Sequence, residues 1–313
     1  MFKSQINPVL FVGGALLLAT PASGQDASGG STAGSVRYYA GVGMANIKAG
    51  EYVYSGDRKI SQLDWESKGV VTGTLGGDVD IGYAWKLKGR LDVGLGGNGY
   101  MEDRDWLSTS YSGWTHQSLH PDTELDRYIN VLLEAEKALV DTGATRLGLG
   151  GGIGYTNVKW TARGGSYIYS DTTLHDTVGN FADGLKGITY EQRIPTVFLS
   201  ANAEQKIGAL TLSGVLRGGA AISYKGVDDH WLRNLRFTDT LDPAPMVGAT
   251  VTADYKILQS ASLYVGGDFQ KIFKTRGDAH VRHTVTGASG SFEDGAAADF
   301  QSITLSAGVK GSF

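Results

Sequence analysis

The 313-residue chain contains no cysteine, which removes disulfides, thiolate metal sites and a cysteine nucleophile from consideration. Nowhere does it offer ~18 consecutive apolar residues, so no helix is expected to cross a bilayer. Positive charge is not in excess: a formal net charge of −4 carries no nucleic-acid signature and leaves room for an acidic site. Proline is scarce at six residues, so few positions are barred from strand ladders. None of this excludes a membrane protein, because a transmembrane barrel hides its apolar band in alternate positions and keeps middling hydropathy.

Glycine is abundant, with 46 residues spread among alternating apolar positions instead of low-complexity repeats. Lys3, the apolar run through Val9, Leu10, Phe11, Val12 and on to Ala19, and the small residues Ala22, Ser23 and Gly24 read as a signal peptide over 1–24. A Gly/Ser/Ala-rich flexible leader is expected over 25–34, then one barrel domain over 35–313.

Counting back by twos from Phe313, Gly311, Val309, Ala307, Leu305 and Ile303 fall on one face, with Ser312, Lys310, Gly308, Ser306, Thr304 and Ser302 on the other. That is a strand with an apolar outside and a polar inside. Similar stretches recur at 36–47, 70–85, 90–100, 128–138, 146–160, 194–207, 210–224, 247–257 and 263–273. Short joins are expected at 86–89, 141–145, 208–209 and 258–261, and long polar loops at 102–126, 161–193 and 225–245. The fold class implied is all-β: a closed antiparallel transmembrane β-barrel of about ten strands, its long loops outside the cell. Tyr38, Tyr39, Tyr83, Trp85, Tyr100, Tyr128, Trp160, Tyr255 and Tyr264 sit near strand ends, where interfacial girdles would lie.

Two doublets in the polar segments carry chemistry. Asp103 and Asp105 are two apart, as are Asp228 and His230, so an extended backbone puts each pair on one face. Facing each other across a cleft, Asp228 would orient His230 and raise its basicity, while the two aspartates would share a proton or hold a water. Spacing alone leaves His116 and His120, and Asp122, Glu124 and Asp126, as equally available groups.

Asp103-Arg104-Asp105-Trp106, Trp114-Thr115, His120-Pro121-Asp122-Thr123, the run 162–170, Gln192-Arg193, Asp228-Asp229-His230 and Ser61-Gln62-Leu63-Asp64-Trp65 are spread along the chain. With them the sequence resembles the omptin family of outer-membrane proteases over essentially the whole mature chain. The resemblance implies an aspartic-type endopeptidase that cleaves next to basic residues, its site facing outside a bacterial outer membrane. It casts Asp228 and His230 as an Asp–His dyad with His230 as general base, and Asp103 and Asp105 as the aspartate pair that helps position the water. It makes Glu51 an acid of the pocket for the basic side chain, and Arg193 a contact for lipid A phosphate. No metal and no resident cofactor are implied, although lipopolysaccharide would be required for activity. The partners would be cationic peptide or protein substrates and lipopolysaccharide, with no nucleic acid. Gly226 stands where the family often has a second pocket acid, and His116 where relatives carry an acid, so broadened specificity is expected. Ile153, Tyr155 and Asn157 depart from the fuller lipid-binding motif. An inactive surface barrel serving as adhesin or structural protein is the alternative, with a lipid-acting barrel enzyme or a small pore as a third reading.

Overall fold

Strands account for most of residues 34–312, the residues described by the computed structural model. The expected signal peptide, the leader up to residue 33 and the terminal Phe313 lie outside the described residues. In chain order the strands are β1 (Val36–Ser55), β2 (Arg58–Gly82), β3 (Trp85–Gly94), β4 (Asn98–Asp105), β5 (His116–Asp141), β6 (Thr145–Arg163), β7 (Ser166–Tyr169), β8 (Thr177–Asn180), β9 (Lys186–Ile207), β10 (Leu210–Ala221), β11 (Lys225–His230), β12 (Leu235–Leu241), β13 (Ala244–Leu258), β14 (Ala261–His283) and β15 (Ser289–Ser312).

The pairing closes on itself. β1 bonds to β2 on one side and β15 on the other, and the ring continues through β5, β6, β9 and β14. Three staves are each built from two strands: β3 with β4, β10 with β11, and β13 with β12. The result is a ring of ten antiparallel staves, and above Arg163 the β7–β8 hairpin takes over from β6 as the partner of β5. Closure pairs the backbone of every stave on both sides, as lipid requires.

Side-chain parity divides inside from outside. Val42, Leu75, Leu149, Leu199, Val251, Leu305 and their neighbours point outward as a continuous apolar belt, with Leu199 76% exposed. Lipid is the environment that would cover such a belt. Inside it, the lumen holds a charged lattice: Arg90 pairs with Asp92 at 2.8 Å and Asp268 at 3.4 Å, and Lys88 with Glu136 at 2.5 Å. Above this layer Ile47, Trp65, Met101, Tyr128, Trp160, Ile194 and Phe300 fill the barrel with a buried apolar plug, which argues against an open pore.

Several expectations need correction. Tyr39, Tyr128, Trp160 and Tyr264 are inward-facing instead of girdle residues, since their parity is that of the lumen. The short join expected at 86–89 is instead Tyr83–Ala84, whose φ of 52° and 64° suit a two-residue hairpin. Lys86 and Lys88 belong to β3 and are paired inside with Asp78 and Glu136. The polar segments expected as long loops are mostly strand: β4 continues to Asp105, β5 begins at His116, β6 continues to Arg163 and β9 begins at Lys186. A strand of 25 or 26 residues, such as β2 or β5, far exceeds the ~10 that a bilayer takes, so the ring rises well above the belt. The functional side chains stand on that rising part.

Candidate active site

β4 is held between β2 and β5, and β11 between β9 and β12, so both doublets stand on staves fixed from each side. The two staves lie four apart around the ring in one direction and six in the other, nearly opposite. On β4 the inward residues climb from buried Met101 to Asp103 and Asp105. On β11 they climb from Gly226 to Asp228 and His230. Each doublet therefore rises from the apolar plug into the mouth, where the four groups that the resemblance singles out are brought together.

His230 Nε2 lies 2.5 Å from Asp228 Oδ2. Its Nδ1 faces the guanidinium of Arg233, the last residue of the single 3-10 turn (Trp231–Arg233) among the described residues. Arginine can only donate, so Nδ1 accepts and the ring proton sits on Nε2, donated to Asp228. This tautomer leaves the Nδ1 lone pair without a proton of its own, facing Arg233.

The aspartate pair has an unusual affinity for protons. Burial, then the neighbouring charge of Asp105, then Asp228 hold the Asp103 carboxyl well above the usual carboxylate range. Arg233 and the Ser61 hydroxyl, which donates to Asp103 Oδ1 at 3.4 Å, oppose that rise. Burial also raises Asp105, and Ser61, Arg233, His116 and His230 pull it back. Burial and mutual repulsion thus both act to favour the protonated form of the pair. Because Asp103 responds to Asp228, and Asp105 to His230, the doublets face each other electrostatically across the cleft.

Below the dyad lies a layer of buried acids. Glu51, 3% exposed, accepts a hydrogen bond from Trp65 Nε1 at 3.3 Å, and its carboxyl is pushed well up by burial, Asp228 and Asp239. Trp65 stacks on Tyr190 at 5.7 Å and on Trp160 at 6.0 Å, forming the aromatic floor. Sequence reasoning misses Asp239, Arg233, Ser61 and Tyr169. Tyr169 sits beside the aspartate pair, and burial with those two charges lifts its phenol to about 12. Only cross-strand register reveals Asp239, which pairs with Gly226.

The alternative groups stand apart from the quartet, His116 excepted. His116 pairs in register with Asp105 and moderates its charge. His120 is buried under the β7–β8 hairpin, stacked on Phe181 at 5.3 Å, with Nε2 3.0 Å from Ser118 Oγ. Asp122 and Glu124 are exposed, and Asp126 accepts from Thr161 Oγ1 at 2.7 Å. Arg193 lies on the outer wall near Tyr155, bonded through Nε to Glu191 Oε1 at 2.9 Å; Arg127 reaches the same oxygen at 2.9 Å.

Comparison with known proteins bears on the fold and the family. A family model described as the Omptin family matches residues 32–313. Protease 7 of Escherichia coli O157:H7 is 29% identical over 288 residues, which cover 87% of this chain and 88% of that protein. The plasminogen activator of Yersinia pestis is 28% identical over 280 residues, covering 88% of each. The outer membrane protease OmpP of Escherichia coli K12 is 29% identical over 321 residues, covering 96% of this chain and 98% of the other. The crystal structure of the outer membrane protease OmpT from Escherichia coli superposes with a TM-score of 0.85 at 25% identity, covering 89% of this chain and 97% of that one.

Proposed function

The chain belongs to the omptin family of outer-membrane proteases, and from that premise we propose that it hydrolyses peptide bonds beside basic residues with a water held between Asp228–His230 and Asp103–Asp105. The observation that carries the reading is the confrontation of the two doublets: a 2.5 Å His230–Asp228 contact opposite an aspartate pair whose carboxyls burial holds above the ordinary range. His230 takes a proton from water as the oxygen attacks the carbonyl carbon, and Asp228 stabilises the imidazolium. The proton held on the aspartate pair is within the same cleft and serves the departing amine. Nothing in this sequence of steps calls for an acyl-enzyme. The acids lining the mouth attract cationic chains and disfavour acidic ones.

Both ends of the described chain and the turns at 83–84, 142–144, 208–209 and 259–260 lie at one pole of the ring, so the site at the other pole is assigned to the cell exterior. Arg193 and Arg127, bridged by Glu191 at the outer edge of the apolar belt, are assigned to lipid A phosphates, for which guanidinium forks are suited.

The test is cleavage of a fluorogenic dibasic peptide by the purified barrel in lipopolysaccharide. His230→Ala and Asp103→Ala are each expected to lower kcat by about 10²–10⁴, the usual worth of a positioned acid or base, with a chelator without effect. A folded barrel that cleaves no peptide would instead support an adhesive or structural surface protein. Arg193→Ala should raise the lipopolysaccharide concentration needed for half-activation; an unchanged requirement removes Arg193 from lipid binding.

A further inference from the structure

Gly226, Asp239 and Gln192 form one rung across three adjacent strands, with Gly226 in the middle. Directly opposed residues in antiparallel strands share a face. A Cβ built on Gly226 would lie 3.2 Å from Asp239 Oδ2 and 3.5 Å from both Asp239 Cβ and Tyr190 Cε2. The carboxylate of Asp239 therefore leans into the space that a side chain at 226 would take.

Asp239 is 6% exposed, and no side chain among the described residues gives its carboxylate a hydrogen bond or a counter-charge; its electrostatic neighbour is another acid, Asp228. Around it, the buried acceptors Asp228 Oδ1 and Gln192 Oε1 also lack donors, and the Tyr224 hydroxyl, which can donate or accept, has no hydrogen-bond partner among the described residues. Tyr224 responds to the charge of Asp239, and Glu51 to both Asp239 and Asp228, so these groups converge. Buried acceptors without donors are costly unless a ligand supplies them. Among the described residues no trio of His, Asp and Glu is arranged to hold a metal ion. The missing partner is then an organic cation rich in N–H groups, narrow enough to slide along the Trp65–Tyr190 wall.

We propose that Asp239, reaching across Gly226, replaces the absent acid at position 226 and pairs with Glu51 to bind the guanidinium or ammonium of the substrate residue before the scissile bond. The proposal deepens the peptidase reading and rests on it for the word substrate. It reverses the expectation that Gly226 loosens specificity: the acid is moved to the neighbouring strand, not lost.

Agmatine, a free guanidinium ligand, separates binding from hydrolysis. Its binding to the full-length barrel in lipopolysaccharide, read by calorimetry, should weaken about tenfold to a hundredfold in Asp239→Asn, the worth of one charge-assisted hydrogen bond. The ratio of kcat/KM for a peptide with arginine before the scissile bond to that for its citrulline counterpart should fall by the same factor. The exchange Gly226→Asp with Asp239→Ser, which moves the carboxylate back across the rung, should recover most of both. Agmatine affinity equal in wild type and Asp239→Asn, or no agmatine binding by the wild type, overturns the proposal. Agmatine binding that depends on Asp239 in a protein that cleaves neither peptide upholds the cation site and sinks only the peptidase reading.

Discussion

At the residue scale the site is governed by uncompensated negative charge, and two side chains make its consequences measurable. Arg233 lowers the proton affinity of both Asp103 and Asp105 while covering His230 Nδ1. Removing that positive charge raises both carboxyls further, so the acid limb of the kcat/KM–pH profile in Arg233→Ala should move upward by on the order of one pH unit, less in high salt. Arg233→Lys should restore the limb; an unmoved limb in Arg233→Ala would detach Arg233 from the pair. Asp239 makes the complementary case for stability. Burial, with Asp228 nearby, raises its carboxyl to about 7, so the folded chain holds this proton more tightly than an unfolded one. Glu51 and the phenols of Tyr190 and Tyr224 are the other titratable groups turned toward it. Its ionisation erodes stability as pH climbs from ~4 to about 7 and costs the full amount above that, roughly 1.4 kcal/mol for every pH unit between the unfolded and folded midpoints. The apparent Tm of Asp239→Asn in detergent should therefore exceed wild type at pH 8 and match it at pH 4. A gain at pH 4 as large as at pH 8 would mean that packing, not charge, is responsible.

At the element scale the β7–β8 hairpin forms one wall of the mouth, and its turn hangs on one carboxylate. Asp176 accepts from the backbone N–H groups of Asp171 at 2.8 Å, Thr172 at 2.9 Å and Thr173 at 2.7 Å, which hold its carboxyl far below the ordinary range. Asp176→Ala leaves those three donors to water, and limited proteolysis should nick residues 164–185 faster while the rest of the barrel stays resistant. Equal nicking rates would show the turn to be held by other contacts, such as the 4.0 Å stack of His175 on Trp114. Elements of this kind are not legible in the sequence, and the reason is physical. Lipid forces strict apolar/polar alternation, so the belt segments at 36–47, 128–138 and 194–207 stand out. Above the belt both faces can be polar, so the upper reaches of β5 and β9 show little apolar/polar contrast and read as loops. Lys86 and Lys88 look like a turn because charge marks turns in water, whereas here it marks the lumen. Two-residue spacing puts each doublet on one face, but Asp122, Glu124 and Asp126 share that spacing, and it is the family resemblance that picks out the four. Asp239 is hidden because its meaning depends on facing Gly226 across a register that local sequence does not encode.

At the scale of the whole molecule the ring is stacked in layers, each answering to a different solvent. A salt-linked lumen lies at membrane depth, an apolar plug seals it, and the acidic mouth opens above. The plug separates the charges of the two polar layers and provides the dry floor from which Glu51 and Asp239 project. The outer belt does a different job, since its side chains are turned away from the lumen and largely exposed. Leu199 faces outward, 76% exposed, whereas Ser200 beside it is buried in the lumen and bonds Glu134 Oε1 at 2.8 Å. Arginine at 199 would place a charge in hydrocarbon and should cost about 2–4 kcal/mol near the bilayer midplane. Because the loss comes from the lipid and not from internal packing, it should appear as a lower urea midpoint when Leu199→Arg is folded into phospholipid vesicles. In short-chain detergent, whose thin shell lets an arginine reach water, most of the loss should disappear. Equal destabilisation in both media would mean that Leu199 supports the strand pairing itself, and the belt would have to be redrawn away from β9.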